Sequence, residues 1–161
     1  MKAASVNDLK EELKELPAHR LVDVCLRLAR FKKENKELLN YLLFESHNEA
    51  AYIEAVKKEI DAEFQNVNSS NLYFAKKTIR KILRTANKHI KYTASKQAEA
   101  ELLIHFCLAL KQSGIAYQKS TALSNLFFSQ ANKAEKAVAS MHEDLQYDYK
   151  RQLEKLIKAN A

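Results

Sequence analysis

The chain has 161 residues, 27 Lys and Arg against 20 Asp and Glu, a net charge of +7, two Cys, one Gly and one Pro. A chain this long buries roughly 70% of the surface its unfolded form exposes, which favours one domain, residues 1–161, with a core. One Gly and one Pro exclude a turn-rich β fold and any phosphate-cradling glycine loop, and two Cys exclude a disulfide framework.

Every segment repeats its apolar residues at helical spacing. Ser5-x-x-Asp8 has the form of a capping box for a first helix over about 6–15. Pro17 stands where a second helix begins, and "HRLVDVCLRLARF" places Leu21, Val24, Cys25, Leu28 and Phe31 on one side. Charge at "KKEN" (32–35) breaks the pattern, and "KELLNYLLFE" forms a short third helix. Ser46-x-x-Glu49 predicts a cap for a fourth, about 47–66, with Tyr52, Ile53, Val56, Ile60 and Phe64 inward.

"NVNSSN" (66–71) is polar and uncharged, the clearest loop, and Ser69 or Ser70 is expected to start a fifth helix. "TAS" (93–95) ends it, and a sixth helix over about 95–113 closes at Gly114 in the C′ position. "LLIHFCLAL" (102–110) is apolar around nearly its whole circumference, which predicts a central, buried helix. A seventh spans about 119–139, where Phe127 and Phe128 point to different sides. Ser140-x-x-Glu143 caps an eighth through Ile157, or the last two are continuous. The expected fold is all-α: an antiparallel bundle of about seven to eight helices, or a short HEAT-like stack.

Charge is concentrated in one place. Residues 1–63 carry 11 basic and 13 acidic side chains, and residues 99–161 carry 8 and 7. Residues 64–98 carry 8 basic and none acidic, so this segment supplies the whole excess. On a helical wheel, Ala75, Ile79, Ile82, Leu83, Ala86 and Ile90 share about a third of the circumference. Lys77, Arg80, Lys81, Arg84, Lys88 and Lys91 fall opposite, with Tyr73 on the same side and Lys76 at the edge. The result is a cationic ridge about 20 Å long at 1.5 Å per residue. Its i,i+4 pairs repel one another with no interleaved Glu.

Three readings follow. The ridge is a solvated face neutralised by acids of a neighbouring helix, such as those at 54–63. It is a phosphate-binding surface for nucleic acid without base readout, Tyr73 offering a stacking ring. Or it meets an acidic protein partner, ranked above an anionic membrane because the apolar face is modest and Trp is absent.

Catalytic and metal signatures are missing. There is no Cys-x-x-Cys, no His-Glu-x-x-His and no Glu-x-x-His. Glu101 and His105, at i,i+4, read as a hydrogen-bonded core pair or half of an acid–base or metal site. Cys25 and Cys107 read as reduced core thiols. No cofactor and no catalytic residue are assigned, and an enzyme is not expected. No stretch has the form of a signal peptide or a membrane span, which predicts a cytoplasmic protein.

The stretch "LKEELKELPAHRLVDVCLRLARFKKENKELLNYLLFE", with "AKKTIRKI" after it, resembles an uncharacterised family of small helical bacterial proteins, a domain of unknown function. The likeness covers about residues 9–83. It implies a bacterial cytoplasmic setting and carries over no site residue.

Overall fold

The computed structural model describes residues 1–158. The described residues are all-α, with eight α-helices: α1 Val6–Lys14, α2 Ala18–Phe31, α3 Lys33–Asn40, α4 Glu49–Gln65, α5 Leu72–Thr93, α6 Lys96–Gln112, α7 Thr121–Ala139 and α8 Glu143–Lys158. They group into two compact units, Met1–Phe44 and the chain from Glu45 onward.

In the first unit, α1 opens with the expected capping box. The Ser5 hydroxyl accepts from Asp8 N at 3.2 Å and the Asp8 carboxylate accepts from Ser5 N at 3.0 Å. Pro17 occupies the cap position before α2 rather than its first turn. The break expected over 32–35 contracts to one extended residue, Lys32 (φ −142°, ψ 145°), and the helix resumes at once. The Asn35 side chain secures this junction by donating to Leu28 O at 2.8 Å. α3 then widens into a π-turn, Tyr41–Glu45.

The apolar side of α2 is not a core face. Leu21 and Val24 are half-buried, whereas Leu28 is 57% exposed, Phe31 76%, and Cys25 is exposed too. The reading of Cys25 as a core thiol is therefore corrected. A segment this short has too little interior to cover every apolar residue it carries.

The second unit is a helical bundle. Its caps differ from several expectations, because nearby side chains compete for the same backbone groups. Asn48, not Ser46, caps α4 by accepting from Ala51 N at 3.1 Å. Asn71, not Ser69 or Ser70, caps α5 by accepting from Tyr73 and Phe74 N, since Ser70 is tied to Asn68. Ser140 closes α7 instead of opening α8: it is the C-cap of α7, its hydroxyl donating to Ala137 O at 2.7 Å, and α7 and α8 are separate helices. α5 stops at Ala94, in the left-handed region at φ 49°, and Ser95 caps α6. Gly114, at φ 76°, lies just past the end of α6 as expected.

α6 packs against α4, α5, α7 and α8. Cross-helix bonds give the directions. Lys57–Glu101 and Asp61–His105 advance together along α4 and α6, so these helices run parallel. Glu101–Tyr149 and Lys111–Leu156 advance together along α6 and α8, so these do too. The chain must return between them through α5 and α7, which makes an up-and-down bundle.

The core forms around α6 in two parts. Ile53, Val56 and Ile60 of α4 meet Ile79 and Ile82 of α5, Leu102, Phe106 and Leu110 of α6, and Leu123 and Phe127 of α7. Leu103 and Ile104 on the other side of α6 meet Ala134, Ala137 and Val138 of α7 and Leu153 of α8. Burying each large side chain contributes about 1.5–3 kcal/mol. The alanines of α7 let the two backbones approach closely. α6 is less enclosed than its composition predicts, because Leu108 is 39% exposed. Phe127 is fully buried, stacked on Tyr117 at 5.2 Å, while Phe128 is 40% exposed.

Candidate functional site

α5 is the candidate site. Ala75, Ile79, Ile82 and Ala86 are fully buried, with Leu83 and Ile90 half-buried beside them. This inner stripe fixes the rotation of the helix. Lys77, Arg80, Lys81, Arg84 and Lys91 are therefore exposed, and Lys88 and Lys76 are half-buried at the margins.

Three acids of α4 have other partners. Glu54 pairs with Lys57 at 2.7 Å, Glu59 with His89 at 3.3 Å, and Asp61 with His105 at 2.7 Å. Among the described residues, no carboxylate oxygen lies within 4.0 Å of the charged nitrogens of Lys77, Arg80, Lys81, Arg84 or Lys91. These five cations share one face of one helix with no paired counter-charge. His89 lies at the inner edge of that face, where the Tyr52 hydroxyl meets its Nδ1 at 2.6 Å.

The N-terminal end of the ridge is aromatic. Tyr73 is 60% exposed and Phe74 53% exposed, with ring centroids 5.5 Å apart at 74°. The Lys77 ammonium sits 4.8 Å over the Tyr73 ring, a cation–π contact that holds the ring at the surface. Phe74 is the element that sequence reasoning missed. On the helical wheel it falls beside Lys81, away from the Ala75–Ile79–Ile82–Ala86 stripe, so the period itself marks it as outward.

A second polar cluster lies in a cleft of about 330 Å³ among α4, α6 and α8. Glu101 and His105 both line it, yet they bind other residues and not each other. Glu101 Oε1 accepts from the Tyr149 hydroxyl at 2.6 Å and Gln97 at 3.1 Å, and Oε2 accepts from Lys57 at 3.0 Å. Burial pushes the Glu101 carboxyl up, but the bonds from Tyr149, Lys57 and Gln97 outweigh it and hold the group below the usual range. Burial likewise works to lower the Lys57 ammonium, and its two carboxylate partners raise it instead. Burial and the bond to Glu101 push the Tyr149 phenol up to about 12. His105 Nε2 is satisfied by Asp61. The cluster satisfies itself, and no group of three or more His, Cys, Asp and Glu among the described residues is arranged to hold a metal ion.

No helix among the described residues is long and apolar enough to cross a membrane. No family model, no curated protein and no solved structure matches this chain.

Proposed function

We propose that the chain is a non-enzymatic binding module whose α5 ridge contacts nucleic-acid phosphates without reading sequence. One observation carries this reading: Lys77, Arg80, Lys81, Arg84 and Lys91 are exposed with no carboxylate in pairing distance. Such a line of cations gains free energy when a polyanion releases its condensed counterions. The exposed Tyr73 and Phe74 rings favour nucleic acid over an acidic protein, because a base stacks on an aromatic face and a carboxylate does not.

Binding of a labelled single-stranded oligonucleotide, followed by anisotropy as salt is raised, tests the proposal. Five phosphate contacts give a slope of log K against log salt of about −3.5 for a single strand and about −4.5 for duplex. Permuting the oligonucleotide sequence should leave affinity unchanged. No binding at low salt, or binding indifferent to salt, removes the proposal.

A further inference from the structure

The ridge on α5 is unbroken, narrow and ends in rings. Lys77, Arg80, Lys81, Arg84 and Lys91 fall within about 100° of the helix circumference. From Lys77 to Lys91 they span about 21 Å at about 1.5 Å per residue. One nucleic-acid strand presents about six phosphates in that length, at about 3.4 Å each. In a duplex the same strand winds about the axis, completing a turn every 34–36 Å or so, about one and a half ridge lengths. A stiff duplex strand therefore curves away before it reaches the far end of the ridge. A flexible single strand can follow all of it.

Tyr73 and Phe74 stand just beyond the Lys77 end, about 4.5–6 Å further along the axis. The two rings differ in what already covers them. The Lys77 ammonium lies over the Tyr73 ring, so one Tyr73 face is occupied. Phe74 is more than half exposed, and among the described residues no cation lies over its ring. The T-shaped contact with Tyr73 braces it at the surface. A phenylalanine ring has no hydrogen-bonding group, so phosphate and sugar offer it little, whereas a base laid against it stacks. In a duplex the base faces are already covered by their neighbours in the stack. Only an unpaired base has a face free.

We infer that the α5 surface selects single-stranded nucleic acid, its backbone lying along the cations and one unpaired base stacking on Phe74. This rests on the ridge reading proposed above and deepens it: it names the form of the polymer that is bound and the residue that discriminates. Every base has a π-face, so the selection is for the unpaired state and not for sequence.

Anisotropy at low salt with three labelled probes of one length tests it: a single strand, the same strand in a duplex, and a strand of abasic sugar-phosphates. The wild type should bind the single strand about fivefold or more tightly than either other probe. Phe74→Ala should weaken the single strand by about fivefold or more, and leave the other two probes and the salt slope unchanged. Phe74→Leu keeps apolar bulk without a ring and should lose as much. Phe74→Trp should retain the affinity, and circular dichroism checks the fold of each variant. Equal affinity for the three probes, or a Phe74→Leu chain that binds the single strand like the wild type, overturns the inference and leaves the ridge reading standing. A wild type that binds none of the three probes removes both.

Discussion

The Tyr149 hydroxyl of α8 donates to Glu101 of α6 at 2.6 Å, while Lys57 of α4 donates to the other oxygen of the same carboxylate at 3.0 Å. One half-buried side chain thus ties three parallel helices at one level of the bundle. Removing the Tyr149 hydroxyl by Tyr149→Phe should cost about 1 kcal/mol, and Glu101→Ala about 1–2 kcal/mol, since solvent still reaches the pair. Chemical denaturation with a double-mutant cycle checks it. Additive losses would show that the bond contributes nothing of its own.

The same cluster sets a pH profile. Glu101 is held below its ordinary range, so it stabilises the fold above the ordinary Glu pKa. That stability is lost as pH falls through the depressed value. Tyr149 is raised to about 12, so its contribution is full below the ordinary Tyr value of about 10 and is lost as pH rises through about 12. Thermal unfolding against pH should show both losses. In Glu101→Gln the acid-side loss should be smaller.

The two thiols should separate cleanly. Cys107 is fully buried, and burial pushes its thiol up to about 12, so it presents almost no thiolate at neutral pH. Cys25 is exposed. An aromatic disulfide reagent should modify one thiol in the native chain and the second only in denaturant. Two thiols reacting at equal rates under native conditions would contradict the burial of α6.

Ala94 holds a left-handed conformation, φ 49°, that costs a non-glycine residue about 1 kcal/mol. Its place at the α5–α6 junction suits a glycine. Ala94→Gly is therefore expected to stabilise the chain by about 0.5–1 kcal/mol, read as a rise in the denaturation midpoint. A loss of stability would mean that the Ala94 methyl packs favourably or that the junction relaxes.

How far the sequence reaches depends on the range of the interaction. The α5 stripe of Ala75, Ile79, Ile82 and Ala86 lies four or fewer residues apart along one helix, so its burial and the outward turn of Arg80 and Arg84 are legible from period alone. Caps were less legible. Asn48, Ser46, Ser69, Ser70 and Asn71 all suit the role, and only backbone geometry chooses among them. The Glu101–Tyr149 bond joins residues 48 apart, and no local pattern marks it. Cys25, Leu28 and Phe31 follow the same period as a core face, yet remain exposed, because period reports amphipathicity and not what covers the apolar side.

The central claim is that the outward face of α5 is free to meet a polyanion, and charge reversal tests it most directly. Arg80→Glu, Arg84→Glu and Lys91→Glu together replace exposed side chains that hold no ion pair, so the fold should survive, as circular dichroism would show. Binding of a labelled single-stranded oligonucleotide at low salt should then fall by about a hundredfold or more, with a shallower salt slope. Unchanged affinity in a folded variant would contradict the account.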